Sequence, residues 1–262
     1  MDNIIDKVKK IVRQAGEIVM DIYSQEFDIE TKDDDSPVTQ ADLISDKIIL
    51  EGLEQFGYPI LSEESVDDLK RLKSDRVWIV DSLDGTTDFI QKTGEFSIMV
   101  GLVEYNKPIL GFVYLPVKDK LYYAISGEGC YLKMAGKTKR MSVTKYNDFK
   151  KLRLVVSRNH LKPEDEKKAR DMGIEKLKKS GSNGIKMGLI AEGEAEIFYN
   201  TTNKMSQWDS CGPEIILTEA GGRVTDMEGN KIIYNTENIM LEKGLVASNG
   251  FLHNQIINNL NK

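Results

Sequence analysis

The stretch Trp78-Ile79-Val80-Asp81-Ser82-Leu83-Asp84-Gly85-Thr86-Thr87-Asp88-Phe89 decides how this chain is read. An apolar run with strand-forming residues ends in Asp-x-x-Asp-Gly-Thr-Thr, which places two carboxylates at a strand terminus and follows them with a glycine and two hydroxyls. Hard divalent cations such as Mg²⁺ take oxygen ligands and sit between one or two carboxylates and the phosphate of a substrate. Gly85 lets the backbone approach such a phosphate closely, and the N–H groups after it, with the Thr86 hydroxyl, suit its oxygens. The same residues also suit a plain strand-to-turn transition, since Asp-Gly is a common turn pair.

Two further acidic sites flank this stretch. Upstream, Pro59-Ile60-Leu61-Ser62-Glu63-Glu64 is another apolar strand ending in acids. Side chains alternate along extended chain, so one of the two glutamates faces a shared site; Glu63 is assigned to it, and Glu64 to its surroundings or to solvent. Downstream, Trp208-Asp209-Ser210 stands before a helical pattern with Pro213 in its first turn, so Asp209 reads either as a metal ligand or as an N-cap carboxylate.

Around these sites the chain divides by texture. Ile4, Val8, Ile11, Ala15, Ile18 and Ile22 recur at steps of three and four, the stripe of an amphipathic helix. The cluster Asp33-Asp34-Asp35-Ser36-Pro37 then predicts a polar loop, and Thr39 opens a second helix carrying Leu43, Ile44, Ile48, Leu53 and Phe56. From Tyr58 to Val143, short apolar runs (Pro59 to Leu61, Val77 to Val80, Phe96 to Val103, Ile109 to Tyr114, Leu121 to Ile125) predict a largely antiparallel sheet. Beyond it the pattern predicts a strand at Leu152 to Val156, a charged helix from Pro163 to Lys179, helices at Ile185 to Ala191 and Ser210 to Ala220, and a closing strand at Gly244 to Ala247. Two sheets with helices between and around them follow, in two lobes divided near residue 148.

Composition limits the function. The 262 residues carry 36 Lys plus Arg against 42 Asp plus Glu, a formal charge of −6, so no broad basic surface for a nucleic-acid polymer is expected. No apolar run approaches the roughly 20 residues of a membrane span, and Met1 to Tyr23 mixes charges throughout rather than forming a signal peptide. Only Cys130 and Cys211 are present, which excludes a disulfide scaffold and fits a reducing cytoplasm. His160 and His253 lie far apart in sequence, giving a histidine-based site little to build on, and Cys211 reads as a small packed residue.

Taken together, Leu61-Ser62-Glu63-Glu64, Asp81-x-Leu83-Asp84-Gly85-Thr86, and Trp208-Asp209 with Ala220-Gly221-Gly222 resemble the inositol monophosphatase superfamily of Mg²⁺-dependent, lithium-sensitive phosphomonoesterases. The resemblance spans nearly the whole chain. It implies a layered αβαβα sandwich, an α+β fold of the sugar-phosphatase type, with residues 1–148 forming a lobe that holds most metal ligands and residues 149–262 supplying Asp209 and the leaving-group pocket. It further implies that Glu63, Asp81, the Leu83 carbonyl, Asp84 and Asp209 hold two or three Mg²⁺ ions. Asp42 is carried onto the position that works with Thr86 on the attacking water, with Glu63 beside them. Asp84, Gly85, Thr86 and Asp209 also face the substrate. Asp42 has a second reading, as the third residue of a helix opened by Thr39, and both roles can hold at once. Where the family has proline, this chain has Ser82, a change expected to loosen the metal loop without removing a ligand.

Within the superfamily, Ser36-Pro37-Val38-Thr39-x-Ala41-Asp42, Thr93-Gly94-Glu95-Phe96, Ser157-Arg158-Asn159-His160 and Gly181-Ser182-Asn183-Gly184-Ile185-Lys186 look most like the bacterial 3′(2′),5′-bisphosphate nucleotidases. That branch implies removal of the 3′-phosphate of adenosine 3′,5′-bisphosphate, a by-product of sulfate activation, by a monomer or homodimer. The second phosphate of such a substrate needs a cation, for which Lys186 is the candidate, with Arg158 or His160 behind it. The alternative is the same chemistry on an inositol or other sugar phosphate. Against inositol stands the run Asn200-Thr201-Thr202-Asn203-Lys204, which lacks the carboxylate that inositol phosphatases commonly present there.

Overall fold

A computed structural model describes residues 2–31 and 37–262; the acidic cluster at 33–36, read as a polar loop, lies outside the described residues. Helix α1 (Asp2–Tyr23) is followed by a short antiparallel ribbon, β1 (Ile29–Thr31) with β2 (Pro37–Thr39), and by α2 (Gln40–Glu54). Strands β3 (Ile60–Ser62) and β4 (Arg76–Asp84), the short helix α3 (Thr86–Ile90), and strands β5 (Ser97–Glu104), β6 (Lys107–Leu115), β7 (Lys120–Ile125), β8 (Gly129–Met134) and β9 (Lys137–Arg140) come next. The remainder runs β10 (Arg153–Ser157), α4 (Pro163–Asp171), β11 (Lys176–Ser180), α5 (Asn183–Ala191), β12 (Ile197–Asn200), α6 (Cys211–Glu219), β13 (Arg223–Thr225), β14 (Leu245–Ser248) and α7 (His253–Leu260).

Strands β3 to β9 lie in sequence order in one seven-stranded sheet, parallel only between β3 and β4. The second sheet has the order β11-β10-β12-β14-β13, with β10 parallel to both β11 and β12 and the other two pairings antiparallel. Alternation along the strands builds the layers. Trp78, Val80, Ile98 and Val100 face α1 and α2, whereas Val77, Ile79 and Met99 face α5 and α6. The second sheet turns Val155, Phe198 and Ala247 to those same two helices, and Leu154, Ile197 and Val246 to α4 and α7. The order is therefore αβαβα, as the resemblance implied.

The elements answer to local chemistry. The buried stripe of α1 is Ile5, Val8, Ile11, Val12, Ala15 and Val19, displaced slightly from the predicted one, so that Ile4, Ile18 and Ile22 are only partly buried at its margin. The charged helix expected over Pro163 to Lys179 stops at Asp171. Gly173 takes a left-handed φ of 79°, its N–H reaches the Arg170 carbonyl, and the Ile174 N–H reaches the Ala169 carbonyl, a double bond pattern that closes a helix. Lys176 to Ser180 then form β11, an edge strand whose exposed lysines discourage pairing with another chain.

Helix α6 lies unusually close to the seven-stranded sheet. Gly101 and Gly111 face each other on β5 and β6, and a Cβ on either would strike Cys211 Sγ or the Gly212 carbonyl at 2.5 Å. Two facing glycines thus form a notch for the start of α6, and the segment that enters it carries Asp209. Among the described residues no helix is long and apolar enough to cross a membrane.

His253 locks α7 to the second sheet. Thr225 Oγ1 donates to the Asp226 carbonyl, so at 2.9 Å from His253 Nε2 it accepts; Ser248 Oγ accepts from the Gly250 N–H and lies 2.8 Å from Nδ1. A neutral imidazole with its proton on Nε2 satisfies both contacts, Ser248 then donating to Nδ1. Burial, helped by the Arg223 charge, pushes its pKa down from 6.5 to about 4. A depressed histidine contributes stability in full above pH 6.5 that is lost as pH falls towards 4, here roughly 3 kcal/mol. Urea denaturation between pH 7 and 4 should show that loss in the wild type and a shallower loss in His253→Asn; equal slopes would remove His253 as a cause.

Candidate metal centre

The decisive geometry is a fault in a strand. In a regular strand Asp81 and Asp84, three residues apart, would point to opposite faces. Here Asp81 pairs with Met99 and Asp84 with Ser97, so three steps along β4 match two along β5, and the extra residue returns both carboxylates to one face. Asp209 joins them from the approach to α6, and one carboxylate oxygen from each of the three lies within 4.8 Å of the others. Asp81 and Asp84 are buried.

Asp209 is not the N-cap of α6, a position taken by Ser210. Its oxygens instead accept from the Ser206 N–H at 2.6 Å and from Asn183 Nδ2 at 3.2 Å, which settles its two sequence readings against the cap. Glu63 stands outside this trio of acids but near enough for its charge to act on Asp81 and Asp209. The Leu83 N–H donates to Asp81 Oδ1 at 3.1 Å, and the Leu83 carbonyl accepts from Thr86 Oγ1 at 3.3 Å. Gly85, at φ 99°, makes the left-handed turn from β4 into α3.

The electrostatics are those of acids crowded together and withdrawn from water. Burial and the charges of Glu63, Asp84 and Asp209 hold Asp81 well above the carboxylate range. Burial and the Asp84 charge push Asp209 to about 8. Asp84 is also raised by burial, though the Lys186 charge, the Ser182 hydroxyl and the Gly184 N–H pull it back. Carboxylates crowded this closely resist ionising together unless a cation joins them. The donors are all oxygens, and the trio is compact enough for one ion to bridge, so the residues fit a hard divalent metal.

Asp42 makes hydrogen bonds to both Thr39 and Thr86. Its Oδ2 accepts from the Thr39 N–H at 2.8 Å and the Thr39 hydroxyl at 2.7 Å, completing the capping box of α2, while its Oδ1 accepts from Thr86 Oγ1 at 2.9 Å. Lys186 is no surface lysine. It is buried, donates to Asn183 Oδ1 at 3.1 Å, and lies 5.1 Å from the Phe198 ring centroid. Arg158, expected behind it, is committed elsewhere: it forms two bonds to Glu95, at 2.9 and 2.8 Å. His160 is exposed. The segments Thr93–Phe96, Ser157–His160 and Gly181–Lys186 do meet, through Glu95 and through Asp88, which accepts from Thr93 Oγ1 and Asn159 Nδ2.

The model of the inositol monophosphatase family matches residues 1–262. The chain belongs to that family. It is 34% identical over 245 residues to the 3′(2′),5′-bisphosphate nucleotidase CysQ of Salmonella typhimurium, covering 92% of this chain and 97% of that protein. To the CysQ nucleotidase of Escherichia coli K12 it is 33% identical over 251 residues, covering 93% and 99%. The structure of CysQ from Bacteroides thetaiotaomicron, a bacterial member of the inositol monophosphatase family, superposes with a TM-score of 0.80 at 30% identity, over 93% of this chain and 96% of that one.

Sequence reasoning missed the supports of this family site. Asp46, one turn after Asp42 on α2, accepts from the hydroxyls of Ser62 and Ser65, which flank Glu63 and Glu64. The four-residue spacing of Asp42 and Asp46 was the available signal. Ser82, standing where the family has proline, makes a side-chain bond that proline could not make. Ser82 is buried, its hydroxyl donates to the Asp42 carbonyl at 3.1 Å, and its own carbonyl, inside the bulge where pairing with β5 is interrupted, accepts from Ser45 Oγ at 2.8 Å. These bonds fasten α2 to β4. Ser45→Ala, which takes a donor from a buried carbonyl, should cost about 1–3 kcal/mol, and Ser82→Ala about 0.5–1.5 kcal/mol. Urea denaturation of the two variants tests this, and the reverse order would be incompatible with it.

Proposed function

We propose that this chain is a Mg²⁺-dependent phosphomonoesterase that removes the 3′-phosphate of adenosine 3′,5′-bisphosphate, giving AMP and phosphate by direct attack of water. The observation that carries the reading is the compact trio Asp81, Asp84 and Asp209 in a chain 34% identical to a 3′(2′),5′-bisphosphate nucleotidase over most of both lengths. In this reading Glu63, Asp81, the Leu83 carbonyl, Asp84 and Asp209 hold two or three metal ions. Bound Mg²⁺ supplies charge neutralisation at the phosphoryl group and lowers the pKa of water.

The remaining work falls to side chains. Thr86 Oγ1 gives its proton to Asp42 Oδ1 and, more weakly, to the Leu83 carbonyl, so its lone pairs are left to accept from water and orient it. Asp42, raised by burial against the pull of its Thr39 and Thr86 bonds, is the acceptor for the proton passed through Thr86. Lys186 supplies the cation for the part of the substrate that departs, together with the N–H groups after Gly85 for the phosphate being lost. In this reading the enzyme works in the cytoplasm, clears the by-product of sulfate activation and is inhibited by lithium.

Phosphate release in Mg²⁺, measured side by side on adenosine 3′,5′-bisphosphate, inositol 1-phosphate and fructose 1,6-bisphosphate, should favour the nucleotide strongly. Preference for a sugar phosphate would overturn the substrate and leave the metal site standing. Asp84→Asn should abolish turnover by loss of Mg²⁺ binding while the fold survives; full activity at ordinary Mg²⁺ would take Asp84 out of the site. Thr86→Ala should keep metal affinity and lose at least about 100-fold in kcat. A variant that mainly bound Mg²⁺ less well would refute the role given to Thr86.

A further inference from the structure

Ser182, just before α5, has φ 44° and ψ 129°, outside the regions open to residues with a Cβ. Glycine takes such a conformation freely, and strain of this kind persists only where surrounding structure enforces it. Capping alone does not account for serine here. The Ser182 side chain does accept from the Ile185 N–H at 3.2 Å, but glycine caps a helix almost as well and would remove the strain.

The remaining partners of the hydroxyl give the reason. Ser182 is buried, and its Oγ also donates to Asp84 Oδ2 and lies 2.8 Å from Ser97 Oγ. A hydroxyl has one proton and two lone pairs, and an ionised carboxylate only accepts. The Ser182 proton therefore goes to Asp84, one lone pair takes the Ile185 N–H, and the other takes the proton of Ser97. Every hydrogen-bonding direction is used, so the hydroxyl is fixed. Ser97 is the register partner of Asp84 across the β4–β5 ladder, which ties the same three residues together a second time. The Gly184 N–H adds a bond to Oδ2 at 3.0 Å, so both bonds fall on one oxygen of the carboxylate.

We propose that Ser182 is a positioning residue, whose hydroxyl, oriented by Ser97 and the first turn of α5, holds Asp84 by Oδ2 and presents Oδ1 to the metal. The proposal rests on the reading of Asp84 as a metal ligand. Removing an outer hydrogen-bond partner of a metal ligand weakens metal binding by 10- to 100-fold in comparable sites.

The test compares wild type, Ser182→Gly, Ser182→Ala and Asp84→Asn, with Mn²⁺ as the probe and free Mn²⁺ counted by electron paramagnetic resonance. Melting temperatures are measured on metal-free protein. Ser182→Gly should melt at or above the wild-type temperature, because strain is relieved, yet bind Mn²⁺ about 10- to 100-fold less tightly, and its turnover should recover at saturating Mg²⁺. Ser182→Ala should lose affinity and also melt lower, since it keeps the strain and loses the bonds. A merely structural serine would instead lower the melting temperature of both variants and leave Mn²⁺ affinity unchanged. Affinity in Ser182→Gly within twofold of wild type, while Asp84→Asn loses binding, would overturn the role of Ser182 alone. Should wild type fail to bind Mn²⁺, or Asp84→Asn bind it normally, the metal reading itself falls and this proposal with it.

Discussion

Carboxylates brought within 4.8 Å of one another and withdrawn from water repel, and the fold must hold them there regardless. Much of the local architecture answers to that constraint. Asp84 receives the Ser182 hydroxyl and the Gly184 N–H, Asp209 receives Ser206 and Asn183, and Asp81 receives the Leu83 N–H. Lys186 adds a positive charge from one turn further along α5. The start of α5 thus supports two acids that come from remote parts of the chain. None of these partners offsets burial, the main reason the acids remain raised, so a divalent cation suits the site.

The acids reach one another through backbone devices rather than through side-chain chemistry. The bulge in β4 aligns Asp81 with Asp84, and the Gly101–Gly111 notch brings the segment before α6 down to them. Asp42 is placed by the capping of α2 and held to β4 by Ser82 and Ser45. One carboxylate there serves local helix formation with one oxygen and Thr86 with the other, so secondary structure and site agree on the same residue.

What was legible in the sequence is what depends on neighbours along the chain. Helical spacing revealed α1 and α2, apolar runs revealed most of the seven-stranded sheet, and acids at the end of β4 marked Asp81 and Asp84, two of the three that meet. Strand β11 was hidden because four of its five residues are exposed, leaving no alternation to read; Gly173 was the overlooked signal that the preceding helix had ended. The burial of Lys186 is not legible along the chain, since neighbours such as Phe198 lie on a different element. Arg158 was read as an available cation because its partner Glu95 is 63 residues away. The supports of the site are long-range contacts of this kind, and periodicity carries no record of them.

The bulge between Asp81 and Asp84 makes this segment sensitive to residue count. Substituting Ser82 or Leu83 changes local contacts but keeps three steps on one strand against two on the other. Deleting either residue would let the two strands pair without interruption, bringing the acids to an even spacing with only one residue between them. The carboxylates would still share a face and Asp84 would still meet Ser97, but the bulge whose hydroxyl and carbonyl tie β4 to α2 would be lost, and with it one hold on Asp42. A family alignment should therefore show more variety in the kind of residue between the two aspartates than in their number.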